Sequence, residues 1–318
     1  MIQQVILILF GLGVLLISGD ILVRGAVGLA TALRIPALLV GLTIVAFGTS
    51  APELVVAIQA VLNGADGIAT GNIVGSNIAN ILLVLGAPAL IYPISTQVPG
   101  LRQNAALMLV ATAAFIWLAY STSAISVGSG YALFAGIVVF IVYTGFRAHT
   151  AGPDDPLLDD VAEYAGGGLS ARTLLFLVFG LIGLPLGAHL LVENGAALAA
   201  GLGVRDGLIG LTIIAFGTSL PELATVGAAA LHKKSDVAIG NVIGSNIFNL
   251  LAVGGAAGIA GGATFDQASL TIDQPMMAAA AILIAGYIFT QRSIGRVSGA
   301  AMTLIYIAFI AFSAVMAR

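Results

Sequence analysis

Apolar residues run along the chain in long blocks, separated by short polar stretches and Gly/Pro breaks. About 20 apolar residues span a bilayer, and cutting at the breaks gives ten blocks near that length: 3–23, 36–62, 67–91, 104–120, 125–146, 172–194, 207–231, 237–260, 274–290 and 297–316. The pattern predicts an all-α integral membrane protein with ten transmembrane helices. The first block has no Lys or Arg ahead of it and lacks the basic flank of a cleavable signal, so it is expected to stay as the first helix.

The one clearly hydrophilic stretch runs from Arg147 to Arg172 and divides the chain into a first membrane unit (1–146), a linker (147–171) and a second membrane unit (172–318). Its acidic group, Asp154, Asp155, Asp159, Asp160 and Glu163, fits no calcium-loop spacing and is expected to be solvated. The units repeat. GLTIVAFGTSAPEL (41–54) returns as GLTIIAFGTSLPEL (210–223), identical at 12 of 14 positions, and GNIVGSNIAN (71–80) returns as GNVIGSNIFN (240–249), identical at 7 of 10. Both returns come at an offset of 169, a register that generic hydrophobicity does not produce.

Five spans per unit is odd, so the second unit should enter the membrane upside down relative to the first, the inverted-repeat plan of secondary transporters. Loop charge tests this independently. With both termini outside, the cytoplasmic side holds Arg24, Arg34, Arg102, Arg147, Arg172, Lys233, Lys234, Arg292 and Arg296, against only Arg205 and Arg318 outside. That split follows the positive-inside rule and makes the 147–171 linker cytoplasmic in a multi-pass protein of the cell (inner) membrane.

Composition agrees: 59% of the residues are hydrophobic and 8% charged, against about a quarter charged in a soluble domain. The 41 glycines suit helices packed closely in lipid. The absence of Cys excludes disulfides, thiolate metal sites and Cys nucleophiles. The net charge of -3 comes with no basic stripe of the kind that binds nucleic acid.

Within the motif strings, Glu53 is the only charged residue between Arg34 and Asp66, and Glu222 the only one between Asp206 and Lys233. A charge at helix centre costs about 3 kcal/mol on insertion scales, so it usually faces a cavity and marks an ion or substrate path. On a helical path Thr49 and Ser50 share a face with Glu53, as do Thr218 and Ser219 with Glu222. In the following spans Ser76 and Asn80 stand four apart, as do Ser245 and Asn249. The set is all hard oxygen with two carboxylates, which suits Ca2+ or Na+; Zn2+ and copper prefer His and Cys. One Ca2+ or two Na+ would balance the two charges, which gives a physical basis for exchange at a shared site. Without a cation the paired carboxylates repel and one takes a proton.

Pro52 and Pro221 remove backbone donors and should disturb the helix near Gly48-Thr49 and Gly217-Thr218. Ser50-x-x-Glu53 and Ser219-x-x-Glu222 also match a capping box, the bland alternative for these residues. Asn72, Asn77, Asn241 and Asn246 rank second, because G-x-x-x-G in both strings fits close helix packing. Asp20 and His189 also correspond at 169. Asp20 reads as a capped or water-exposed helix end, His189 as a packing residue, and His149 and His232 as ordinary loop residues.

At GTSAPE with GNIVGSNIAN, and again at GTSLPE with GNVIGSNIFN, the chain resembles the alpha-repeats of the sodium/calcium exchanger family, of prokaryotic type, within the Ca2+:cation antiporter superfamily. The resemblance implies antiport of Na+ and Ca2+ as substrates by alternating access, normally exporting Ca2+, by a monomer that needs no cofactor. It carries the family's ion ligands onto Thr49, Ser50, Glu53, Ser76 and Asn80, and onto Thr218, Ser219, Glu222 and Ser245; it also implies that the first helix of each unit gates the site. Asn249 stands where many prokaryotic and K+-dependent members have Asp, which argues against K+ coupling. Large calcium-sensing domains cannot fit into 147–171. A Ca2+/H+ antiporter is the alternative. An intramembrane hydrolase is disfavoured, since no His or Lys lies near these serines in sequence and no H-E-x-x-H occurs. A channel is disfavoured by broken helices in an inverted repeat.

Overall fold

A computed structural model of the chain describes residues 2–150, 170–201 and 217–316. The acidic group of the linker, Arg205 and the first part of the 207–231 block lie outside the described residues. Helices account for nearly everything described: α1 (Ile2–Leu33), α2 (Ala37–Thr49), α3 (Ala51–Leu62), α4 (Asp66–Ile91), α5 (Leu101–Thr122), α6 (Val127–Thr150), α7 (Ala171–Gly201), α8 (Leu220–Leu231), α9 (Ser235–Ala260), α10 (Ser269–Phe289) and α11 (Arg296–Met316). Among the described residues eight helices are long and apolar enough to cross a membrane, and α2 with α3 adds a ninth, bent span.

Most blocks match their helices within a few residues, but the first and sixth do not. The helix expected over 3–23 continues to Leu33, and that expected over 172–194 continues to Gly201. At 32 residues and 1.5 Å per residue α1 is about 48 Å long, well beyond a hydrocarbon core of about 30 Å. The polar residues read as its end do not stop it, because Asp20 pairs with Arg24 one turn on, at 3.0 Å. Termination comes at Pro36, after Arg34 turns left-handed. On α7, His189 and Glu193 pair in the same way at 3.3 Å. Asp20 is therefore interior to a helix and His189 is exposed, against the helix-end and packing roles expected of them.

α1 and α7 lie along each other in opposite sequence order. Gly11 meets Gly187, Leu22 meets Gly180, and Gly25 meets Leu177, with backbones so close that a Cβ on any of these glycines would clash, and the Ser18 side chain fills the space beside Gly183. The same small-residue packing sets α2 across α9: a Cβ on Gly244 would stand 2.5 Å from the Leu42 carbonyl oxygen. Other contacts recur at the offset of 169 with the units exchanged. Gly86 packs on Gly299, and Gly255 on Gly130. Ile94 bridges Ile294, and Ile125 pairs with Ala263 in a two-residue antiparallel ladder, Ala124–Ile125 on Ala263–Thr264.

The core sits where α2, α3, α4, α8 and α9 meet. Ile73, Ile78, Ile81, Leu82, Leu85, Leu42, Val242, Ile243 and Leu250 are fully buried there, while α1, α6, α7 and α11 present Leu, Ile, Val and Phe outward as a lipid-facing surface.

Candidate functional site

Helix geometry fails where the two motif strings lie. The span holding the first string bends by 42° between α2 and α3, with Ser50 at φ -87, ψ 5 as the hinge and Pro52 in the first turn of α3. Ser219 adopts the same conformation (φ -87, ψ 3) ahead of α8, with Pro221 placed likewise. The disturbance expected from the two prolines is thus present. π turns flank it: one covers Gly41–Val45, and two others begin at Asn80 and Asn249 within α4 and α9. Such turns leave backbone carbonyls without the regular i+4 donor and recur at functional sites.

Neither Ser50 nor Ser219 makes a side-chain capping bond, so the capping-box reading does not account for them. Instead the Ser50 hydroxyl reaches across the units and donates to Glu222 Oε1 at 3.2 Å. Ser245 Oγ donates to the same oxygen at 3.4 Å. Thr49 Oγ1 donates to Asn241 Oδ1 at 3.2 Å and lies 3.4 Å from Ser245 Oγ. Asn80 Nδ2 donates to Asn246 Oδ1 at 3.1 Å. Residues of both strings in both units therefore converge.

Burial here is nearly complete: Glu53 is 1% exposed and Glu222 0%. Thr49, Ser50, Ser76, Asn80, Ser219, Ser245 and Asn249 are buried as well, and Thr218 is half-buried. No Lys, Arg or His pairs with either carboxylate among the described residues. Buried polar atoms normally find a hydrogen-bond partner. Among the described residues, both Glu53 carboxylate oxygens, Glu222 Oε2, Asn80 Oδ1, Asn249 Oδ1 and Ser219 Oγ have none. These hard oxygens suit a Ca2+ or Na+ shell far better than a soft metal.

The arrangement is unequal between the units. Ser50 and Ser245 bind Glu222, while the corresponding Ser219 and Ser76 make no such bond to Glu53. Glu53 is instead fixed through its backbone, whose carbonyl accepts from Asn72 Nδ2 at 2.9 Å.

Asn241 and Asn246 belong to the cross-unit network more directly than their second rank suggested. The signal was available for Asn241, four residues before Ser245 and so on its helical face; Ser245 Oγ donates to it at 3.4 Å. Asn77 donates to the Ile73 carbonyl of its own helix. Asp20 and His189 lie apart from this network. His232, read as an ordinary loop residue, contacts Asp20 Oδ1 through Nε2 and so ties the end of α8 to α1.

The family model described as "Sodium/calcium exchanger protein" matches residues 3–150 and 172–315. Sodium/calcium exchanger MaX1 of Methanosarcina acetivorans is 31% identical over 96% of this chain and 97% of its own length. Inner membrane protein YrbG of Escherichia coli is 34% identical over 88% of this chain and 86% of its own. Solved structures of the sodium-calcium exchanger NCX_Mj, among them one soaked with 2.5 mM Na+ and 0.1 mM Ca2+, superpose with a TM-score of 0.84 at 29% identity and cover 98% of each chain. A match that runs through both units and through the buried oxygen cluster settles the family: this chain belongs to the sodium/calcium exchanger family, membrane antiporters of cations and not enzymes.

Proposed function

We propose that the protein exchanges Na+ for Ca2+ across the cell (inner) membrane by alternating access, with Ca2+ normally leaving on the inward Na+ gradient. The observation that carries this reading is the pair of buried carboxylates, Glu53 and Glu222, one from each unit, surrounded by neutral oxygens and by no basic side chain among the described residues. One Ca2+ or two Na+ neutralise that pair, so each ion competes for the oxygens the other needs. The ligands are Thr49, Ser50, Glu53, Ser76 and Asn80 with Thr218, Ser219, Glu222, Ser245 and Asn249; π-turn carbonyls next to Asn80 and Asn249 complete a shell of 6–8 oxygens.

Ten spans form two inverted repeats of five, 1–146 and 172–318. The exchanged contacts at the offset of 169 and the opposite run of α1 and α7 support this. Both termini lie outside and the 147–171 linker inside, supported by the loop charges. A monomer suffices, since one chain supplies both carboxylates.

Bare buried carboxylates can also carry protons, and this keeps Ca2+/H+ exchange as the second reading. Uptake of 45Ca2+ into proteoliposomes decides between them. Uptake driven by internal Na+ and lost when choline replaces it supports Na+ coupling. Uptake driven by a pH gradient in choline supports proton coupling and overturns the Na+ assignment.

A further inference from the structure

Two hydroxyls of the buried cluster have more neighbours than hydrogens to give them. Thr49 Oγ1 lies 3.3 Å from the Ala46 carbonyl oxygen, 3.2 Å from Asn241 Oδ1 and 3.4 Å from Ser245 Oγ. Ser245 Oγ lies 3.4 Å from Asn241 Oδ1 and equally far from Glu222 Oε1. A hydroxyl has one hydrogen and two lone pairs, so each of these serves one acceptor at a time. Asn241 Oδ1 is an acceptor that both of them reach, one from each unit.

Local structure puts it there. Asn241 stands one helical turn before Ser245 on α9 and shares its face. Thr49 arrives from the other unit because α2 crosses α9 with backbones nearly touching; a Cβ on Gly41 would stand 3.3 Å from Asn241 N. Asn241 is fully buried, and its Nδ2 has no hydrogen-bond partner among the described residues. What it offers its surroundings is therefore the carbonyl half of its amide. The matching residue of the first unit, Asn72, uses the other half: its Nδ2 donates to the Glu53 carbonyl oxygen at 2.9 Å.

A hydroxyl ligates a cation through a lone pair, and its hydrogen must then point away from the positive charge, at another acceptor. Without a cation Ser245 can donate to Glu222 Oε1. A cation on that carboxylate takes the same lone pairs, and the Ser245 hydrogen has to turn elsewhere. Resting on the reading of Thr49, Ser245 and Glu222 as ion ligands, we propose that Asn241 is a positioning residue: its Oδ1 accepts the hydrogens of Thr49 and Ser245 when a cation binds, and so turns their lone pairs toward the ion. One carbonyl oxygen has two lone pairs, enough for both hydrogens. Asn241 acts through the two hydroxyls and not on the ion, and outer partners that orient metal ligands are typically worth about 10–100-fold in affinity.

Asn241→Leu and Asn241→Asp test it, because all three side chains branch alike at Cγ. Leu removes the acceptor, whereas Asp keeps it and loses only the donor half that has no partner. Equilibrium 45Ca2+ binding would be measured on purified wild type and both variants, with thermal melts taken in the absence of Ca2+. The expected result is a Kd for Ca2+ raised by about 10–100-fold in Asn241→Leu, with its melt unchanged. In Asn241→Asp the Kd should stay at the wild-type value or fall below it, since any added charge favours a cation. Should the Leu variant fail to fold, Asn241→Ala takes its place and the same pattern is expected. Wild-type affinity in the Leu or Ala variant, or a Kd raised equally in Leu and Asp, overturns the role of Asn241 and leaves the ion site standing. A folded wild type that binds no Ca2+ overturns both.

Discussion

Glu53 and Glu222 occupy equivalent positions of the two motif strings, yet Glu222 accepts from Ser50 and Ser245 while both Glu53 oxygens lack a partner among the described residues. Such inequality is what one of two alternating states of a repeated site should display. Either carboxylate contributes half of the compensating charge, so Glu53→Gln or Glu222→Gln is expected to lower Ca2+ transport by roughly 100-fold or more, the scale of breaking a buried charge pair. Near wild-type 45Ca2+ flux in either purified variant would refute the assignment. Asn249 offers an amide oxygen and no third charge, so exchange should run at the same rate when choline replaces K+ on both sides; a K+ requirement would contradict this. At this scale the carboxylates were legible because a lone Glu inside a long apolar block has few bland explanations. That Thr49 is the partner of Asn241 was not, because the two are 192 residues apart and only the crossing of α2 and α9 joins them.

The elements are held by backbones in contact, and that is where their sensitivity lies. A methyl group on Gly244 would press on Leu42 O, Ala46 Cβ and Leu42 Cα at 2.5–2.8 Å, the crossing that brings Thr49 to Asn241. Gly244→Ala should therefore cost about 1–3 kcal/mol of overpacking and lower the thermal midpoint. Gly145→Ala, on the exposed face of α6 with nothing within 4 Å, should be neutral or slightly stabilising. Equal melts for the two variants would contradict this account of the crossing. Helix existence was readable from apolar block length, and the hinges from Pro52 and Pro221. Helix ends were not readable at Arg24 and Glu193, because an i,i+4 ion pair lets a helix continue through charged residues. The π turns leave no mark in hydrophobic periodicity.

For the whole molecule, the offset of 169 already held the duplication, and the five spans expected per unit are the ground for proposing that it is inverted. What sequence could not show is how the units meet: Ser50 to Glu222, α1 along α7, and α7 over the hinges. Leu181 and Val192 of α7 cover Gly48 and Gly217, the glycines that precede the two hinge segments. If α7 slides during exchange, a Gly48→Cys/Leu181→Cys disulfide should stop transport and a reductant should restore it, on a background free of native Cys. Full activity with the cross-link complete, as judged by mass spectrometry, would show that α7 stays fixed against α2. The central claim is that both ions use one site charged by one carboxylate from each unit. Its most direct test is equilibrium 45Ca2+ binding to the purified protein across a Na+ titration. The account predicts complete displacement with a Hill coefficient above one, because at least two Na+ must replace each Ca2+, and no Ca2+ binding at these concentrations in Glu53→Gln. Ca2+ binding that survives saturating Na+, or that persists unchanged in the variant, would contradict it.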